Sequence, residues 1–184
     1  GGDGACLVAF DKRTGEERWR ALDDQASYAA PIIVPQGDKR VLVCLTGDNV
    51  VGLDPQTGKV YWTEAFAPSR MAIGISTPIY DAGRLMVTSF YDGSMMLKLD
   101  PTELKETKLW HRVGRDEKHT EAIHSIISTP LFLGDHIYGV DSYGELRCLD
   151  AATGDRVWED LTATPKARWS TIHFVRNGDK IWMF

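Results

Sequence analysis

The residues best equipped for chemistry lie in one polar stretch, His111-Arg112-Val113-Gly114-Arg115-Asp116-Glu117-Lys118-His119-Thr120-Glu121-Ala122-Ile123-His124. Three histidines and several carboxylates in so short a span could build a metal site, since imidazole nitrogen and carboxylate oxygen both ligate divalent cations. His119, Glu121 and His124 are the candidate ligands. Their spacing matches no motif with a known mechanism, and the plainer reading is a solvated charged loop. A second set, Tyr28, Arg70, Arg168 and Trp169, combines guanidinium groups with aromatic rings. That combination can grip an anionic or sugar-like ligand, with ordinary packing as the competing role. Machinery for catalysis is thin, because the chain contains no Gly-rich phosphate loop, no HExxH and no GxSxG. Cys6, Cys44 and Cys148 are far apart, without CxxC or metal-ligand spacing, and read as small buried hydrophobes. His136 and His173 read as structural residues.

The background is ordinary globular composition: 184 residues, 43% hydrophobic and 26% charged, with six Trp. A net charge of −5 and the lack of a Lys/Arg run argue against nucleic acid as a partner. The longest stretches without a formal charge, Gln25–Gly37 and Ala122–Gly134, are 13 residues each and contain Pro. A membrane-spanning helix needs about 20 apolar residues, so no transmembrane segment is expected in this chain. The chain opens Gly1-Gly2-Asp3 without Met, so the lack of a signal peptide in it carries no weight.

The elements that must position these residues announce themselves as a repeat. Asp11, Gly15 and Trp19 recur as Asp54, Gly58 and Trp62, and again as Asp150, Gly154 and Trp158; in each, Thr precedes Gly and Trp follows Asp by eight residues. A degenerate copy runs from Asp100 to Trp110 without the Thr-Gly. A period of 43 to 50 residues suits propeller blades. In phase with it, Ala29-Ala30-Pro31, Ser76-Thr77-Pro78, Ser128-Thr129-Pro130 and Ser170-Thr171-Ile172 each open an apolar run followed by Gly-containing turns. Short β-branched and aromatic runs between such turns predict four-stranded antiparallel meanders and an all-β chain. The Asp carboxylate can bond backbone N–H groups two and three residues on, and Gly supplies positive φ. Trp, on the outermost strand, wedges between neighbouring blades. Trp182 reads as core, which leaves Trp169 as the functional candidate among the tryptophans.

Asp-x-x-Thr-Gly-x-x-x-Trp, preceded by strands such as Leu7-Val8-Ala9-Phe10, resembles the tryptophan-docking repeat of the PQQ-like (quinoprotein-type) β-propellers, across essentially the whole chain. The sequence is most similar to the secreted bacterial PQQ-repeat and BamB-like members. The resemblance implies an extracytoplasmic location, periplasmic or secreted, and a non-catalytic scaffold for a protein or small ligand. Two alternatives stay open: part of a PQQ- and calcium-dependent dehydrogenase, or a carbohydrate-binding propeller. PQQ and calcium rest on the resemblance alone. A dehydrogenase of this kind needs a catalytic Asp, a calcium site and often adjacent cysteines, and no adjacent pair is present. The expected organisation is a half-blade (1–27), blades over 28–71, 72–123 and 124–168, and a half-blade (169–184). Joining the ends would give four blades; the resemblance implies instead a segment of a seven- or eight-bladed ring. Loops leading into each first strand rim one mouth of the channel, and Tyr28, Arg70, His119, Glu121, His124, Arg168 and Trp169 all fall there.

Overall fold

The computed structural model describes residues 2–184, and among them every regular element is a β-strand. A two-stranded sheet comes first, β1 (Leu7–Phe10) with β2 (Glu17–Ala21). The first four-stranded sheet holds β3 (Ile32–Gln36), β4 (Lys39–Leu45), β5 (Asn49–Leu53) and β6 (Val60–Ala65). The second holds β7 (Ile79–Asp81), β8 (Arg84–Ser89), β9 (Gly93–Leu99) and β10 (Glu106–Arg112). A hairpin, β11 (Gly114–Asp116) and β12 (His119–Thr120), then precedes the third sheet. That sheet comprises β13 (Leu131–Leu133), β14 (His136–Val140), β15 (Leu146–Asp150) and β16 (Arg156–Asp160). A two-stranded sheet, β17 (Phe174–Asn177) with β18 (Lys180–Met183), comes last. In each four-stranded sheet, hydrogen-bonded order equals chain order and every pairing is antiparallel. These are propeller blades, and the chain is an all-β partial propeller.

Stacking dictates the patterning of the middle strands. Val41, Val43 and Leu45 of β4 join Leu85, Val87, Met95 and Leu97 in a core between the first and second blades. The other faces of β8 and β9 send Met86 and Met96 into a core with Ile137, Leu149 and Ala151 of the third blade. Cys44, Val51 and Leu53 face Leu7, Ala21 and Leu22 of the leading sheet. Val140 and Leu146 face Ile172 and Phe174. A strand covered on both faces gains by being apolar at every position, so β4, β8 and β9 read as continuous runs rather than alternating ones.

The repeat Asp makes the expected turn each time. Oδ1 of Asp11 accepts from the Arg13 and Thr14 N–H at 2.9 and 3.1 Å, and Asp54, Asp100 and Asp150 repeat the pattern. These bonds hold the Asp100 and Asp150 carboxyls below their ordinary range, Asp100 at about 2. Beyond each turn the outer strand carries a bulge that leaves Arg18, Tyr61, Leu109 and Val157 unpaired immediately before the Trp. Where the bulged side chain is polar it returns to the turn: Arg18 Nη2 and the Tyr61 hydroxyl donate to Oδ2 of Asp11 and Asp54 at 2.6 and 2.7 Å.

The tryptophans then tie blade to blade. Trp19 Nε1 donates to the Pro55 carbonyl of the next blade at 3.2 Å, with its ring over Gly58. Trp110 does the same to Ala151 at 3.0 Å, with its ring over Gly154. Trp62 faces the degenerate turn, which lacks that glycine, and lies instead over Gly52 of its own blade. Its Nε1 donates to Gln36 Oε1 at 2.9 Å, while Gln36 Nε2 donates to the carbonyls of Glu103 and Lys105. A buried amide thus replaces the direct contact. Trp158 is 41% exposed. Trp182, expected in the core, is 60% exposed, because β17 and β18 form a two-stranded sheet with no further strand across that face among the described residues.

Candidate functional site

The polar stretch His111–His124 is a braced structure rather than a loose loop. Asp116 Oδ1 accepts from the Lys118 and His119 N–H at 2.9 and 3.0 Å, closing the β11–β12 turn, and His119 Nδ1 donates back to Asp116 at 2.8 Å. His119 beside it holds the Asp116 carboxyl down at about 2. Beneath the hairpin, Arg147 of β15 is 2% exposed. It donates to Thr120 Oγ1 and the Ala122 carbonyl at 2.8 and 2.6 Å, and to Asp141 and Glu145 at 3.3 and 2.6 Å. Both terminal nitrogens of this buried charge are partnered, while Nε has no partner among the described residues, and the cluster fixes the hairpin to the third blade. Asp48, Asp92 and Asp141, each in the turn between second and third strands, hold the preceding loop by accepting from Gln25 N–H, Ser69 N–H and the Thr120 hydroxyl.

On that base the hairpin presents Glu117 as a hub. Its carboxylate accepts from the Tyr143 hydroxyl at 2.8 Å and from Arg168 Nη2 at 3.0 Å, with Arg70 Nη1 at 3.5 Å. The Tyr143 hydroxyl, with help from Arg168, keeps the Glu117 carboxyl below its usual range. Arg168 also donates to the Tyr91 hydroxyl at 3.1 Å and lies 5.0 and 5.4 Å over the rings of Trp169 and Phe90. Arg70 lies 5.3 Å over Tyr91. Trp169 takes φ 72° while its N–H donates to the Ser142 carbonyl at 3.0 Å. A bulky residue in the left-handed region is strained, and such strain concentrates at functional positions. Beside the hub, Lys118, His119, Tyr143, Lys166 and Arg168 line a cleft of about 450 Å³, with Lys166 paired to Glu145 at 3.3 Å and Arg168 to Glu117 at 3.0 Å.

The structure therefore brings together Arg70, Arg168 and Trp169, with His119 on the adjoining cleft. It separates the rest. Tyr28 stands elsewhere, 77% exposed, with its N–H donating to Gly74. Glu121 lines a different cleft, with Arg112 and Arg156. His124 is 1% exposed, and its Nδ1 donates to the Phe90 carbonyl behind the cluster. Burial pushes its imidazole down to about 4. The His119, Glu121 and His124 set does not converge, and among the described residues no group of three His, Cys, Asp or Glu side chains could hold a metal. Both Glu117 oxygens are committed, one to the Tyr143 hydroxyl and the other to the arginines. The sequence alone does not single out Glu117, Tyr91, Tyr143 or the buried Arg147. One signal was available: an aromatic sits in the same inter-strand turn of two successive blades, Tyr91 before Gly93 and Tyr143 before Gly144.

The family model described as outer membrane protein assembly factor BamB matches residues 3–180. The BamB of Shewanella oneidensis is 24% identical over 161 residues, covering 86% of this chain and 39% of that protein. The chain spans about two fifths of the length of the curated relatives it matches. Among solved structures, BamB from Moraxella catarrhalis superposes with a TM-score of 0.51 at 18% identity, covering 96% of this chain and 63% of that one. A quinohemoprotein alcohol dehydrogenase from Comamonas testosteroni gives the same TM-score at 15% identity, over 96% and 36% of the two chains, which speaks to the fold alone. With the repeat, the blades and the family model in agreement along nearly its whole length, the chain belongs to the extracytoplasmic, BamB-type family of PQQ-like repeat β-propellers.

Proposed function

We propose that the chain is a non-catalytic scaffold in the cell envelope which takes part in outer membrane protein assembly, holding a protein partner on the rim formed by Arg70, Tyr91, Glu117, Tyr143, Arg168 and Trp169. The observation that carries this reading is the convergence of loops from both sides of two blades on the single carboxylate of Glu117. Arg, Tyr and Trp are the side chains that dominate binding energy at protein interfaces, and rigid bracing lowers the entropy lost when they are covered. The test is capture of envelope proteins on the immobilised chain. Trp169→Ala and Arg168→Ala should each weaken retention of the captured partner at least tenfold, and unchanged retention by both variants would overturn the rim as the contact. Pyrroloquinoline quinone with Ca²⁺ should leave Trp fluorescence unchanged and support no dye reduction by alcohols or sugars. A quinone-dependent signal would favour the dehydrogenase reading instead.

The cation-lined cleft beside Arg168 and the exposed Trp169 ring favour one second reading, an anionic sugar held at the mouth. Quenching of fluorescence by an acidic glycan, lost in Trp169→Ala, would support it.

A further inference from the structure

We propose that Cys6 and Cys44 form a disulfide that staples the β1–β2 sheet to the first four-stranded blade. They sit on opposite sides of one blade boundary. On β4, Val41, Val43 and Leu45 face the second blade, so the alternate positions Leu42 and Cys44 face the leading sheet, against Leu7, Ala21 and Leu22. Cys6 stands immediately before β1, its N–H donating to the Leu22 carbonyl at 3.0 Å. Both cysteines line the same small cavity, about 70 Å³, which also touches Leu7, Leu45 and Thr46. A second observation brings the Cys6 thiol to the end of β4: it lies 3.7 Å from the Gln25 carbonyl, which also accepts from the Gly47 N–H at 2.7 Å. The strand side and the shared cavity place the two cysteines across one gap. Cys148 lies on β15 in the third blade and contributes nothing to it.

The extracytoplasmic location supplies the setting in which such a bond persists. The oxidant is a disulfide, either a dithiol–disulfide oxidoreductase of the envelope or oxidised glutathione. The Cys6 thiolate attacks one sulfur of that disulfide and expels the other as a thiolate, leaving a mixed disulfide. The Cys44 thiolate then attacks Cys6 Sγ and expels the second sulfur of the oxidant. Two thiols lose two protons and two electrons, and the oxidant gains them as two thiols. Burial raises both thiols in the folded chain, Cys44 to about 12, which keeps the thiolate scarce once the boundary has closed. The bond therefore belongs to folding, while β1 is still undocked.

Refolding the 184-residue chain with oxidised and reduced glutathione tests this. After denaturation, a maleimide label should find one thiol per chain, Cys148, rather than three. Tryptic mapping without reductant should join Gly1–Lys12 to Val41–Lys59. Reductant should lower the melting temperature of the oxidised wild type by several degrees and leave Cys6→Ser unmoved. Three labelled thiols per wild-type chain, or a linked pair containing Cys148, would overturn the assignment; the mapping needs no variant, so a misfolded Cys6→Ser does not spoil it.

Discussion

His124 shows how far one side chain's surroundings can depart from its composition. The imidazole lies buried near Arg147 and Asp141, with Nδ1 donating to the Phe90 carbonyl, while the residue's own N–H donates to the Val140 carbonyl. Desolvation dominates and is opposed first by the hydrogen bond to the Phe90 carbonyl; the nearby Arg147 charge works with desolvation, and the Val113 backbone and Asp141 work against it. The folded imidazole titrates near 4, below the roughly 6.5 of an unfolded chain. Between those values the unfolded state binds more protons, so stability falls as pH drops from 6.5 to 4 and this contribution is level below that. The loss is on the order of 3 kcal/mol. Urea midpoints measured from pH 7.5 to 4 should fall steeply for the wild type and less so for His124→Gln. Parallel slopes would show that His124 does not set the dependence. The repeat aspartates act in a lower window, since their depressed carboxyls contribute above about pH 4 and lose that contribution only on further acidification.

At the scale of elements, the glycine of the Thr-Gly turn answers two demands that can be separated. Gly15, Gly58 and Gly154 all have φ between 72° and 75°, so alanine at each costs about 1 kcal/mol in backbone strain. A Cβ at Gly15 would meet nothing within 4 Å, whereas at Gly58 and Gly154 it would meet the Trp19 and Trp110 rings at 2.5 and 2.8 Å. Chemical denaturation should therefore rank Gly15→Ala as the mildest, with the other two costing roughly 2–4 kcal/mol through the displaced indoles. Equal effects at all three would mean that the indoles yield freely. Gln36→Leu belongs to the same argument. It strands the buried Trp62 Nε1 and two carbonyls of the degenerate turn, and should cost about 2–4 kcal/mol. The Asp, Gly and Trp of each turn were legible in the sequence because their bonds are local and recur at fixed spacing. Gln36 and the Glu117 hub were not, because their partners lie tens of residues away and none of those spacings repeats. His119, Glu121 and His124 are near in sequence, yet a hairpin, a cleft edge and a buried site divide them, since proximity along a chain says nothing of where its turns send each side chain.

Across the molecule, stability follows how many blade faces each strand has covered. Repeat architectures approximate a row of units whose stability is the sum of local terms and nearest-neighbour interfaces. The second blade has an apolar core on both faces, and Leu85, Met86, Met95, Met96 and Leu97 are all 1% exposed or less. β17 and β18 form a two-stranded sheet on which Val175, Trp182 and Met183 are each about half exposed or more. Two strands with one apolar face are marginal alone, whereas the middle strands open only when two interfaces are lost together. Amide exchange measured on the 184-residue chain should therefore protect β8 and β9 most, the first and third blades less, and β17–β18 least. Protection in β8–β9 should approach the global unfolding free energy, while β17–β18 should exchange by opening locally, about 100-fold faster or more. If all the strands exchanged at one rate, the chain would be a single cooperative unit, and the cores between blades would not be separable contributions to its stability.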